Sequence, residues 1–280
     1  MKIRSLIIFE VLFRTISYIT AICVIVVVDL YLTKNMIRTF QPKTQSISQI
    51  KNLTKNCLKI IPNFINSELQ SQIVEEVDQT FDKLVNNSYS KDHWDRNINH
   101  YREREFSHFE NQKINTEVIQ KIDETMIKFL NQVEISRMQE NMEEIKQDNK
   151  NPKNFFTPNQ ILPKTHCLDL HHQGQILPHV DSERFCGPAL ASLSLLSPSK
   201  LTLQKCQDND ETFSYNKHGD SITVLLPAGS LYILTGEMRY NWTHAIENFE
   251  NQRRISIIRR IRSTYFDDPS KLFNFGSIPG

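Results

Sequence analysis

The chain has 280 residues, a formal net charge of +1, 39% hydrophobic residues and 23% charged ones. That length accommodates one sizeable domain plus extensions, and a near-neutral charge with a pI near 7.7 leaves no overall electrostatic footprint for nucleic acid. The five cysteines, Cys23, Cys57, Cys167, Cys186 and Cys206, are odd in number and form no C-x-x-C pair, which argues against a disulfide scaffold and for reduced intracellular thiols.

Residues 1–40 stand apart. Lys2, Arg4, Arg14, Lys34 and Arg38 outnumber Glu10 and Asp29, and residues 16–28 are strongly apolar. A basic, acid-poor leader suits mitochondrial import. The alternative is a membrane anchor through residues 16–32, although a helix of that length covers about 25 Å of a ~30 Å hydrocarbon core. Asn66-Ser67 followed by Leu69, Ile73, Val77, Phe81 and Leu84 predicts a capped amphipathic helix. Asp92-His93-Trp94-Asp95 comes next and reads as lying between two polar helical stretches, without strand context. Thr116 opens a second helix, with Val118, Ile119, Ile122, Met126, Ile127, Leu130 and Val133 on one stripe. Residues 55–140 thus read as a helical front to the catalytic domain. Residues 141–163, polar and rich in Asn and Lys over most of their length, read as a linker or insertion.

From 164 to 265 the pattern changes to short apolar runs punctuated by Gly and Pro. Residues 165–170, 175–177, 189–196, 200–203, 221–226, 230–234 and 254–261 read as strands, with a break at Gly174. The expected class is therefore mainly β with flanking helices. Its core is expected to be a double-stranded β-helix, or jelly roll, which brings residues distant in sequence to one open mouth. Residues 266–280 read as a C-terminal tail.

The chemistry is carried by Pro178-His179-Val180-Asp181. Residues two apart on a strand point to the same face, so His179 and Asp181 present an imidazole and a carboxylate together. With His244 added, two imidazoles and a carboxylate suit iron(II), leaving other coordination positions open. The pair alone is a weak signal, and His93-Trp94-Asp95 is a second copy, read here as structural or part of a polar network. His166, His171, His172 and His218 compete for the third place. His171 and His172 are adjacent and expected to diverge, His218 falls in a polar turn, and His244 lies between the 230–234 run and the arginine strand. Arg254 and Arg260 are six apart and share a face, with Cα atoms ~20 Å apart at the usual strand rise. Side chains reaching roughly 6 Å inward leave a gap about the length of a five-carbon diacid. The alternative is that Arg253, Arg254, Arg259, Arg260 and Arg262 blunt an exposed edge strand.

Taken together, these residues resemble the AlkB-type 2-oxoglutarate dioxygenases, whose pattern is H-x-D, a distal His and R-x5-R. Within that family the resemblance is to the mitochondrial group typified by the seventh human AlkB homologue. It is carried by Leu168-Asp169-Leu170, Pro178 to Ser182, Phe185-Cys186-Gly187, Leu193 to Ser199, Pro227 to Leu234, Arg239-Tyr240, Thr243-His244 and Arg253 to Ser256. Asp92-His93-Trp94-Asp95 with Tyr101-Arg102-Glu103 extends it over most of 55–262. One departure is that Leu168 and Leu170 stand where the repair enzymes of the family often place Asn and Tyr.

The resemblance implies that His179, Asp181 and His244 bind Fe(II). It implies also that Arg254 and Arg260 hold the carboxylates of 2-oxoglutarate, with Tyr232 donating a hydrogen bond to it. The implied reaction is oxidation of a substrate, by hydroxylation or demethylation, with O2 consumed and succinate and CO2 released. The implied setting is the mitochondrion, with the matrix favoured and links to programmed necrosis and fatty-acid metabolism. A protein, a small molecule or a mitochondrial RNA are open as substrate, and duplex DNA is not expected. Two alternatives stand beside this reading: a catalytically silent jelly-roll scaffold, and a hydrolase in which the same triad holds zinc. Cys186 as a nucleophile is a further, weaker alternative to a packing thiol.

Overall fold

The computed structural model describes residues 37–38, 54–83, 88–107, 113–142, 155–206, 221–249 and 252–264. The chain divides into units 1–38 and 39–280, and of the first only the two-residue strand Ile37–Arg38 is described. The expected leader or anchor, most of the linker and the C-terminal tail lie outside the described residues. No helix among the described residues is long and apolar enough to cross a membrane.

The described part of residues 39–280 includes ten strands and the three α-helices named below. Strand β1 is Leu58–Ile61 and helix α1 is Ser67–Asp82. The Asn66 side chain accepts from the Leu69 amide at 2.8 Å, satisfying one of the free donors of the first turn. Ile73, Val77 and Phe81 form the buried stripe of α1. Strands β2 (Ser90–Asp92) and β3 (Ile98–Ser107) follow, then helix α2 (Lys113–Met142), whose stripe from Val118 to Val133 is buried as its spacing predicts. Strand β4 runs over Lys164–His179, β5 over Ala189–Leu195, β6 over Ser199–Lys205, β7 over Ser221–Leu226 and β8 over Ser230–Thr235. Helix α3 (Gly236–Tyr240) leads into β9 (Trp242–Asn248), and β10 is Arg254–Arg260.

Three expectations need correction. Asp92-His93-Trp94-Asp95 connects a β-hairpin, not two helices: β2 pairs antiparallel with β3, and β3 with β4. The front therefore contains three strands, counting β1, besides its helices. The two runs around Gly174 are one 16-residue strand. Gly174 is there because backbone passes close by: a Cβ would lie 2.6 Å from the His100 carbonyl oxygen. Nor do His171 and His172 diverge, their ring centroids being 3.8 Å apart. The β3 segment near them has an irregular register between Asn99 and Tyr101, with His100 at φ +47°, and such a bulge re-aims side chains.

The sheet order is β7-β6-β9-β4-β10-β5-β8-β1, with β3 also on β4 and every pair antiparallel. One edge of β4 pairs with β3. Its other edge pairs with β10 through His166–Leu170 and with β9 through Gln175–His179. The long strand thus belongs to two sheets at once and curls them into a double-stranded β-helix.

Strand alternation then sorts β10. Ile255 and Ile257 join Val118, Ile122 and Met126 in the core under the helices, while Arg254, Ser256, Ile258 and Arg260 face the interior of the roll. A second core, including Leu201, Leu203, Ile222, Val224 and Trp242, fills the rest of that interior. Strand β10 lies between β4 and β5, so its arginines do not blunt an edge. Arg259 donates to both carboxylate oxygens of Asp123 on α2, at 2.7 and 2.9 Å. Arg253 reaches Asp78 of α1 and Asp169, whose fully buried carboxylate also accepts from Arg102 at 2.7 Å and the Tyr89 hydroxyl at 3.1 Å.

Candidate active site

The six residues singled out from the sequence, His179, Asp181, Tyr232, His244, Arg254 and Arg260, line one cavity inside the roll. Register explains the meeting of the first three polar groups. His244 on β9 stands directly across from His179 at the end of β4, and Asp181 follows two residues after His179. The two imidazole centroids are 4.2 Å apart. Asp181 Oδ1 lies 3.3 Å from His179 Nε2 and 3.6 Å from His244 Nε2. One ligand atom from each residue fits within 4.8 Å of the others, a spacing that suits a metal ion.

The surroundings also suit a metal. His179 Nδ1 is 2.8 Å from the Leu177 carbonyl, which only accepts, so Nδ1 carries the proton and Nε2 offers its lone pair to the site. Burial, then the neighbouring His179, pushes His244 down to about 3, which keeps its imidazole neutral and its lone pair available. Burial alone would raise the Asp181 carboxyl, but the Arg260 guanidinium and the His179 hydrogen bond hold it well below the usual carboxylate range. His179 moves up despite its burial, because the Asp181 carboxylate attracts its proton. A divalent cation held there would displace that proton.

The two inward arginines differ. Arg254 is fully buried and donates to Ser194 Oγ at 3.0 Å and to Ser256 Oγ, while its Nη2 has no partner. No carboxylate pairs with it among the described residues, and burial pushes it down to about 10, still cationic at neutral pH. A buried cation with a free donor needs an anion. Tyr232 lines the same cavity, and burial raises its hydroxyl, which therefore stays protonated and able to donate. Arg260 is already engaged: its Nε donates to Asp181 Oδ2 at 3.0 Å and its Nη1 faces His166 Nδ1 at 3.1 Å.

Outside the cavity a cleft of about 770 Å³ exposes His179, Asp181 and Arg260 to solvent. Trp94 and Phe185, 84% and 67% exposed, stand along it. Trp94 is held out by a tight turn: the His93 amide bonds the Ile98 carbonyl at 2.8 Å, and Asp95 takes the His93 ring at 2.7 Å and the Asn97 amide at 3.0 Å.

Two contributors had no assigned role in the sequence. His166, considered there as a rival ligand, lies in the wall and bridges Arg260 to Glu103, 2.8 Å from its Nε2. Its spacing from Leu168, which also lines the cavity, is the signal that placed it inward. Arg239 of α3, buried against the loop after Asp181, is one of the residues that carry the resemblance, but no spacing in the sequence signals its role. Cys186 is buried, and burial pushes its thiol up to about 11, which removes it as a nucleophile at neutral pH.

Residues 57–263 match the 2OG-Fe(II) oxygenase superfamily model. The chain belongs to this superfamily and is an Fe(II)- and 2-oxoglutarate-dependent dioxygenase, with 2-oxoglutarate and O2 as co-substrates. It is 33% identical over 205 residues to the Bos taurus protein named alpha-ketoglutarate-dependent dioxygenase alkB homolog 7, mitochondrial. The Mus musculus protein of the same name is 32% identical over 205 residues, and each match covers 71% of this chain and 73% of the relative. Among solved structures, a Pseudomonas putida prolyl-4-hydroxylase superposes with a TM-score of 0.47 at 11% identity, over 77% of this chain and 97% of that one.

Proposed function

We propose that His179, Asp181 and His244 hold the iron, and that Arg254 with Tyr232 receives the distal carboxylate of 2-oxoglutarate. The observation that carries this reading is the unpaired Nη2 of buried Arg254, in the same cavity as the triad. A zinc hydrolase has no use for that cation. With the centre loaded, O2 and 2-oxoglutarate yield succinate and CO2, one oxygen atom going to succinate and the other to the substrate, which is hydroxylated or demethylated.

Each residue contributes by placing or excluding something. Arg254 fixes one end of the cosubstrate by a charge-assisted hydrogen bond, and Tyr232 adds a neutral donor. Arg260 holds the non-ligating oxygen of Asp181, keeps Oδ1 turned to the two imidazoles, and stands at the metal end for the proximal carboxylate. Leu168, Leu190 and Ile258 line the space between and exclude water. The substrate reaches the centre through the outer cleft past Trp94 and Phe185. Mitochondrial residence is part of this proposal, supported by the names of the relatives and by the basic, acid-poor composition of residues 1–40. The connection to programmed necrosis and fatty-acid metabolism is carried by the resemblance alone.

Succinate formation by the full chain, after anaerobic Fe(II) loading and admission of air, tests the reading. Wild type should form succinate in proportion to 2-oxoglutarate, and His179→Ala and Arg254→Ala should not. Equal turnover in either variant sinks the corresponding assignment.

A further inference from the structure

We propose that Arg239 is a positioning residue for the metal centre, holding the backbone of Asp181 in register with the strand that carries His244. The inference rests on the ligand assignment proposed above. Arg239 sits in α3, five residues before His244, and is 2% exposed. Its Nη1 donates to the Asp181 carbonyl at 2.9 Å, its Nη2 to the Cys186 carbonyl at 2.6 Å and its Nε to the Gly187 carbonyl at 3.1 Å. All three nitrogens are thus spent on one loop, the one that begins at Asp181.

Asp181 is thereby held from two sides. Arg239 grips its carbonyl and Arg260 grips Oδ2, which leaves Oδ1 as the oxygen facing both imidazoles. The far side of the same loop is fixed too. The Thr235 hydroxyl donates to the Pro188 carbonyl at 2.8 Å, and the Gly187 amide to the Ile261 carbonyl at 2.9 Å. Gly187 packs so closely that a Cβ would lie 2.4 Å from the Arg262 carbonyl oxygen.

The electrostatics set this arrangement apart from ordinary packing. No carboxylate pairs with Arg239 among the described residues; its buried charge is met by three carbonyl dipoles and by the Tyr240 ring, whose centroid lies 5.0 Å away. An apolar side chain would avoid the desolvation cost of a buried guanidinium. What it would lose is a fork that ties three successive points of the Asp181 loop to the helix from which β9 springs. Because that helix is short and directly precedes Trp242, which is fully buried, any shift of Arg239 moves the loop against His244.

The test uses the full chain as wild type, Arg239→Met, Arg239→Lys and His179→Ala, all metal-free at the outset. Calorimetry gives the Mn(II) affinity, and then the 2-oxoglutarate affinity at saturating Mn(II). The Co(II) absorption spectrum reports ligand geometry, and melting of the metal-free protein reports the fold. Arg239→Met should weaken Mn(II) about 10–100-fold, the range for losing a group that orients a ligand. It should also alter the Co(II) bands and leave 2-oxoglutarate binding within about twofold at saturating metal. Arg239→Lys should recover part of the metal affinity. Mn(II) affinity and Co(II) spectrum unchanged beside a lowered melting temperature would assign Arg239 to stability alone and overturn the proposal, as would failure of both variants to fold. If wild type binds no Mn(II), or His179→Ala binds it equally well, the ligand assignment itself has failed and this inference falls with it.

Discussion

At Arg254 a fully buried guanidinium meets two serine hydroxyls and no carboxylate, so the metal-free, cosubstrate-free protein carries an unmatched charge in its interior. Replacing it by methionine should leave stability without ligands unchanged or higher, since the desolvation cost disappears. The same change should cost about 100-fold in 2-oxoglutarate affinity at saturating metal, equivalent to about 2.7 kcal/mol. Thermal melting without ligands, paired with calorimetry, checks both, and an unaltered affinity would remove Arg254 from the cosubstrate site. Cys186 gives the pH signature. Its thiol keeps its proton up to about 11 in the folded protein, against ~8.5 in an unfolded chain. The unfolded state therefore sheds the proton first. This group has no effect on stability below pH ~8.5 and removes about 1.4 kcal/mol per pH unit between the two values. Urea unfolding of wild type and Cys186→Ala from pH 7.5 to 10 should show the shallower decline in the variant; equal slopes would contradict it. Arg254 with Arg260 was legible in the sequence because a period of two fixes a shared face; His179 with Asp181 was legible from its motif, although the strand ends at His179 and the loop after it places the carboxylate. Arg239 and Asp169 were not, because their roles are set by partners about 50 to 90 residues away in the chain.

The elements divide along the same line. Helix α1 was readable from its cap and stripe and α2 from its stripe, since an exposed helix buries one face only; α2 opens at Lys113, earlier than the expected Thr116. Strand β3 was not: Tyr101-Arg102-Glu103-Arg104-Glu105 has the composition of a solvated helix. In the fold Arg102 is committed to Asp169 and Glu103 to His166, so charges there are tied to other charges on a strand and are not simply a solvated face. Strand β10 is the opposite case: its arginines also allowed an edge reading, the alternative in the sequence, yet the strand has neighbours on both sides. Arg259 tolerates its central place because Asp123 of α2 meets it with two hydrogen bonds. Asp123→Ala should therefore destabilise by about 3–5 kcal/mol, since it strands a buried cation. The pair Asp123→Leu with Arg259→Met should regain most of that loss. Denaturant titration of wild type and the two variants decides it, and a loss under about 1 kcal/mol in the single variant would mean that water replaces the carboxylate.

For the molecule as a whole, the shared strand β4 couples the sheet bearing His244 to the sheet bearing Arg254, so ligand binding at the cavity should stabilise both together. Mn(II) and 2-oxoglutarate present together, with 2-oxoglutarate at 100 times its dissociation constant, should add about 2.7 kcal/mol over Mn(II) alone. At the same 2-oxoglutarate concentration that increment should fall to about 0.4 kcal/mol in Arg254→Met, given its ~100-fold weaker binding, and vanish in His179→Ala; thermal melts read it, and an equal increment in either variant would break the coupling. The strand order has a further consequence for how the protein is made. Strand β10, the last described in the chain, is inserted between β4 and β5, both synthesised long before it. A nascent chain that has emerged only to residue 250 holds His179, Asp181 and His244 but has a gap in the middle of its sheet. The three proposed iron ligands are translated before the strand that closes the cavity around them, so the complete cavity must wait until that strand has emerged.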